Sequence, residues 1–142
     1  MRPRGGQPRG GQPRGRRAAS KTSALGTEEK RAAVEEALLA RRAVNPVSLD
    51  MREVTVITDY FLICHGTSNV HIRAIAEGVM EALEERGVKV DGVEGHKEAR
   101  WTLLDYGDVI VHVFAEEERE FYDLERLWSD APQTAVAARE EG

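Results

Sequence analysis

The residues of this 142-residue chain that could do chemistry are a few histidines, one cysteine and a Gly-Thr-Ser turn. His65, His71 and His112 could ligate a metal only if their ring nitrogens met within about 2.1 Å of one ion. No spacing among them enforces that. His112 stands between Ile110 and Phe114 in an alternating run, so it reads as a half-buried, hydrogen-bonded histidine. Cys64 ends an apolar run and reads as inert packing. Its use as a nucleophile with His65 as base is disfavoured, because neighbouring strand residues face opposite ways. Gly66-Thr67-Ser68 could offer the free N–H groups of a helix start to an anion. Any capped helix after a strand looks the same, so Ser68 is read first as an N-cap.

The elements that must position these residues centre on Ala99 to Asp130. Trp101 to Leu104 is rich in β-formers, and Asp105-Tyr106-Gly107-Asp108 is a turn tetrad. From Val109 to Ala115 the pattern alternates: Val109, Val111 and Val113 point one way, Ile110, His112 and Phe114 the other. The two runs form a β-hairpin whose second strand, apolar on both faces, belongs in the middle of a sheet. Phe121, Leu124, Leu127 and Trp128 then recur at helical spacing, which predicts an amphipathic helix ending near Trp128. Trp101 shares a strand face with Leu103 and Asp105. If that face is core, the indole is packing; if it is open, the indole is an interface anchor. Asp105 and Asp108 either shape the turn or offer acidic contacts to a basic partner.

Upstream, Thr27 is the expected N-cap of a helix running to about Ala43, ended by Asn45-Pro46. Val47 to Met51 and Val54 to Ile57 read as a short strand with its continuation or a bend, and Tyr60 to Cys64 as a central strand. Ile72, Ile75, Ala76, Val79, Met80 and Leu83 form the core-facing stripe of a second helix, closed by Gly87. Val88 to Val93 is a short interrupted strand, followed by a polar loop with His96 and Lys97. The predicted fold is a single α/β domain with a mixed β-sheet flanked by helices.

Charge divides the chain. Met1 to Lys21 carries seven basic residues and no acid, so the remaining 13 basic and 25 acidic residues leave a net charge of −12. An acidic domain favours a basic partner over bare nucleic acid. Residues 3 to 15 repeat Pro-Arg-Gly-Gly-Gln, a composition that supports neither helix nor core. The expected organisation is a disordered basic tail over residues 1–25, the domain over 26–130, and a flexible C-terminal tail over 131–142. The basic tail reads first as a solvated coil, with a loose anchor to RNA phosphates as the alternative. No apolar run approaches 18 residues and no signal-peptide core exists, so a cytoplasmic protein without membrane contact is expected. A lone cysteine forms no intrachain disulfide and fits a reducing compartment.

The run R-W-T-L-L-D-Y-G-D-V-I-V-H-V-F, followed by E-R-E-F-Y-D-L-E-R-L-W, resembles the ribosomal silencing factor family of Iojap-like proteins. Asp59-Tyr60-Phe61, Gly66-Thr67-Ser68 with His71, and Val93-Glu94-Gly95 match the same family, so the resemblance spans about Glu29 to Asp130. It implies a nucleotidyltransferase-like shape and a homodimer. It also implies docking of the Trp101 hairpin on the universal large-subunit protein fourteen, a basic ribosomal protein. The docking residues would include Trp101, Leu103, Asp105, Tyr106 and Asp108. Binding there would block subunit joining by steric exclusion and repress translation when nutrients are short. Nucleotidyl transfer itself needs paired carboxylates to hold metal. Asp91 and Glu94 are three apart, which in a strand splays them, and Asp123 and Glu125 fall in the last helix. No catalytic residue, cofactor or metal is therefore expected. The rival classes are a nucleotidyltransferase-like enzyme and an RNA-binding adaptor led by the tail.

Overall fold

Ser68 opens the longest helix, α2 (Asn69–Glu85), its hydroxyl oxygen accepting from the His71 backbone N–H at 3.0 Å. Ile72, Ile75, Ala76, Val79 and Leu83 on one side of α2 are buried, as their spacing predicts, while Met80 is half-buried at the margin. The computed structural model describes residues 25–137. The expectation of a disordered N-terminal tail therefore falls outside the described residues. In chain order the elements are α1 (Thr27–Ala40), β1 (Val44–Asp50), β2 (Tyr60–Gly66), α2, β3 (Gly92–Glu94), β4 (Trp101–Asp105), β5 (Val109–Ala115), α3 (Glu116–Tyr122), α4 (Leu124–Leu127) and β6 (Gln133–Ala135).

The strands form one mixed sheet in the order β3-β4-β5-β2-β1-β6. The central pair β2 and β5 is parallel, with Leu62 opposite Val111, and every other pair is antiparallel. The central parallel pair packs on both faces, in keeping with strands apolar on both, although Phe61 and Ile110 stay half-buried. Helices α1 and α2 cover the first face. Val34 and Leu38 of α1 and Ile75, Val79 and Leu83 of α2 pack there on Leu62, Cys64, Val109, Val111 and Val113. The second face holds Leu49, Met51, Ile63 and Phe114 under Leu124 and Ala131, with Phe61, Trp101 and Trp128 only partly buried. Its cover is two short helices and a loop, so part of it stays open.

The departures from the sequence reading have local causes. Gly26, not Thr27, is the N-cap of α1, and its N–H donates to Glu29 Oε1 at 3.0 Å. Asn45-Pro46 does not end the helix but lies inside β1, where Asn45 has φ 48° and the register with β2 slips between Val44 and Val47. A bulge accepts the proline that a regular ladder would reject. Val54 to Ile57 is loop, with Val56 and Ile57 exposed. The last helix is broken at Asp123 (φ 48°) into α3 and α4. The stretch expected to be a flexible tail supplies β6, which pairs antiparallel with β1 although it buries no side chain. The open edge of β1 provides the backbone partners: Asp50 N–H donates to the Pro132 carbonyl and Val136 N–H to that of Pro46, both at 2.9 Å.

Candidate partner-docking face

The hairpin is set in place by Gly95. Its φ is +76°, and a Cβ built there would lie 2.1 Å from the Trp101 carbonyl oxygen. Only glycine allows this approach. The Gly95 carbonyl in turn accepts from Ala99 N–H at 3.0 Å, folding the loop against the start of β4.

Strand alternation then sorts β4. Thr102 and Leu104 are buried toward α2, while Trp101, Leu103 and Asp105 are half-buried on the second face. There Trp101 sits opposite Phe114 of β5, with the ring centroids 4.9 Å apart. Its Nε1 donates to Nδ1 of His112 at 3.1 Å. Nδ1 accepts, so the neutral ring carries its proton on Nε2. His112 is buried rather than half-buried, at 4% exposure, and burial holds its pKa down at about 4. Its Nε2 has no hydrogen-bond partner among the described residues.

The rings continue as a belt across the sheet. Phe121 meets Tyr122 edge-on at 5.0 Å, and Tyr122 lies 4.6 Å from Trp101. Beyond Trp101, His112 meets Phe61 at 4.7 Å, and Phe61 meets Trp128 at 6.1 Å. Phe61, Leu103 and Ile110 remain half-buried on the same sheet face as Trp101, which α3 and α4 do not fully cover. Pairs of this geometry add roughly 0.5–1.5 kcal/mol each beyond area burial.

The other residues singled out from the sequence lie elsewhere. Tyr106 is 4% exposed within the first core, because one step past Asp105 the alternation turns it toward α1 and α2. Burial pushes the pKa of its hydroxyl up. Asp108 accepts from Lys30 Nζ at 2.8 Å and from the Thr27 hydroxyl, which ties the hairpin turn to the start of α1. Asp105 Oδ1 accepts from Gly107 N–H at 2.8 Å and shapes the turn. The structure thus groups Trp101, Leu103 and Asp105 on one face and separates them from Tyr106 and Asp108.

The candidate chemical residues do not converge. His71 takes a hydrogen bond from Thr67 N–H at 3.0 Å and donates to the Arg41 carbonyl at 2.9 Å, joining the Gly66-Thr67-Ser68 turn to the end of α1. His65 accepts from Arg119 Nη1 at 3.0 Å, and burial, then the Arg119 charge, lowers its pKa. Cys64 is fully buried, and that pushes its thiol up to about 12, far from a reactive thiolate. Among the described residues no three His, Cys, Asp or Glu side chains are placed to hold a metal ion. Glu125, one of the carboxylates weighed above, accepts from Arg119 at 2.7 Å, and Asp123 sits at the helix break. A crevice of about 640 Å³ opens beside this pair, but its one arginine is already committed to Glu125, Val44 and His65. Among the described residues no helix is long and apolar enough to cross a membrane.

Comparison with known proteins gives a consistent result. Residues 25–142 match the profile of the family described as "Ribosomal silencing factor during starvation". The chain is 49% identical over 92 residues to the ribosomal silencing factor RsfS of Bacillus subtilis, covering 65% of this chain and 78% of that one. A crystal structure of a Chromobacterium violaceum protein superposes with a TM-score of 0.73 at 32% identity, over 80% of this chain and 95% of that one. A more distant mouse relative, "Mitochondrial assembly of ribosomal large subunit protein 1", is 33% identical over 75 residues, 51% of this chain and 33% of its own. On the match over most of its length and the shared fold, the chain belongs to the ribosomal silencing factor family.

Proposed function

We propose that this protein represses translation by docking on the large ribosomal subunit, through the universal large-subunit protein fourteen, and keeping the small subunit from joining. The observation that carries this reading is the half-open aromatic face around Trp101 on a domain of strongly acidic composition. An indole fixed by a hydrogen bond to His112 and packed on Phe114, with Leu103 next on the same strand face, is a preorganised apolar anchor. The acidic surroundings steer it toward a basic protein and away from phosphate. The names borne by the relatives, a silencing factor in bacteria and a large-subunit assembly protein in mitochondria, point to the same partner class.

The contact patch centres on Trp101 and Leu103 with Asp105 at its edge. Tyr106 and Asp108 act from behind it by fixing the turn. The free protein is a homodimer in the cytoplasm, and its basic tail adds a weak contact with ribosomal RNA. The test is to pass the purified protein over separated large and small subunits. Retention by large subunits alone, with subunit joining inhibited in proportion to occupancy, is the expected result. Equal retention by both subunits would show general RNA attraction instead.

A further inference from the structure

The crevice beside Arg119 opens at the carboxyl ends of the parallel strands β2 and β5, where His65 and Glu116 stand. Its acids are not equivalent. Among residues 116–125, Glu117 and Glu118 pair with Arg100 and Glu125 with Arg119, whereas Glu116, Glu120 and Asp123 have no ion-pair partner among the described residues. All three line the crevice, yet no three groups there are placed to hold a metal ion. His65, 8% exposed, borders the same space. Arg119 Nη1 donates to its Nδ1, so the neutral ring carries its proton on Nε2, and that N–H has no partner among the described residues. A buried donor left open calls for an acceptor.

Carboxylates spread too widely for a metal suit a broad organic cation. The planar guanidinium of an arginine has five donors to share among them. Pro46, Ala135 and Val136 on the β1 and β6 side offer an apolar wall to its stem. The backbone carbonyl of the same arginine can accept from His65 Nε2. Free arginine would bring a carboxylate in among the acids, whereas an arginine within a chain brings a neutral carbonyl. Met1 to Lys21 carries seven basic residues and no acid, against a net of −12 on the remainder. The 24 residues before Leu25 span up to roughly 80 Å. The start of α1 is bonded to Asp108, just before β5, and the crevice lies at the other end of that seven-residue strand, roughly 23 Å on. We propose that the crevice receives an arginine of the chain's own basic segment, Met1 to Lys21. A tethered segment meets it at roughly millimolar effective concentration, so even a weak site is filled. The contact is independent of the docking reading, but an arginine held there is withheld from RNA phosphates.

The test uses the full-length protein with Gln7→Cys carrying an acceptor dye. Cys64 is fully buried with its thiol pushed up to about 12, so it does not compete for the label. Trp101 and Trp128 are the donors, and Trp101 packs on Tyr122 of α3, the helix that lines the crevice. Energy transfer should be present at low salt and fall toward about 1 M salt, where the Debye length is ~3 Å. Glu116→Gln with Glu120→Gln should bring the low-salt transfer down to that high-salt level. Glu117→Gln with Glu118→Gln makes the same charge change on the same helix outside the crevice, and should keep most of the transfer. On a single-stranded RNA oligomer, the crevice double variant should bind several-fold more tightly than this control, because its basic segment is released. Equal losses of transfer in the two double variants would mean diffuse attraction, and no loss in either would mean that the segment lies elsewhere; both overturn the proposal. Transfer that grows with protein concentration would place the segment on a second copy and overturn it as well. Equal RNA affinities would overturn the competition between crevice and RNA.

Discussion

Trp101 and His112 share one hydrogen bond, Nε1 to Nδ1 at 3.1 Å, that links the two strands of the hairpin side chain to side chain. It does two things at once. It gives the indole N–H a partner in a half-buried site, and it locks the ring plane against Phe114 and Tyr122. Trp101→Ala should cut large-subunit binding about thirtyfold, the usual loss for a central aromatic anchor of about 2 kcal/mol. Trp101 is also packed, so the alanine variant loses some stability. Trp101→Phe separates the two effects: melting should stay close to the parent while affinity still falls, because the indole edge and its hydrogen bond are gone. Equal affinity of Trp101→Phe and the parent would show that only apolar area matters there.

The same pair predicts an acid response. His112 stays neutral in the fold down to about pH 4, while an unfolded histidine takes a proton near 6.5. Between those values the unfolded chain binds more protons, so stability falls as pH falls. The full shift corresponds to about 3 kcal/mol. His65, also lowered by burial and by Arg119, adds in the same direction. Denaturant melts at intervals from pH 7 to 4 should show this slope, and His112→Phe should flatten it to the part that His65 contributes and, toward pH 4, the lowered carboxyls of Glu28 and Asp50. An unchanged slope in His112→Phe would assign the acid loss to other groups.

The hairpin and the α2 stripe were legible because both are periodic. The alternation from Val109 to Ala115 sorts the two faces as the structure does, and Phe114 and His112 turn up on the side of Trp101. The rest depended on single backbone conformations that periodicity does not record. Asn45 and Asp123 both adopt left-handed φ without being glycine, and each redirects the chain. One lets a proline sit inside β1; the other turns Phe121 out and Leu124 in. Tyr106 belongs to a turn tetrad by sequence, yet the strand alternation carries on through it into the core. The edge strand β6 carries no side-chain signal, since its three residues are exposed and held by backbone bonds.

Gly95 offers a test of how the docking face is built. Gly95→Ala meets the Trp101 carbonyl at 2.1 Å in a backbone conformation that alanine resists. Left-handed backbone alone costs about 1–2 kcal/mol, and the clash adds to it. The substitution should therefore lower stability by about 2 kcal/mol or more and weaken binding through a shifted β4. Gly92→Ala is the comparison, because a Cβ there meets only ordinary contact at 4.0 Å. A neutral Gly95→Ala, read by thermal melting, would mean that the loop before β4 rearranges freely.

Asp108 separates fold from docking. Its carboxylate sits against Lys30, whose side chain is 6% exposed, and against the Thr27 hydroxyl. Removing one partner of a buried pair leaves the other charge unpaired and costs about 3–5 kcal/mol. Asp108→Ala should therefore melt well below the parent. The double variant Asp108→Ala with Lys30→Met should recover much of the loss, because no stranded charge remains. Binding discriminates the two roles. If Asp108 acts only by fixing the turn to α1, the double variant should bind large subunits nearly as well as the parent, with the same salt dependence. If the double variant is stable but binds weakly, and the deficit shrinks as salt rises, Asp108 contributes charge to the docking face directly.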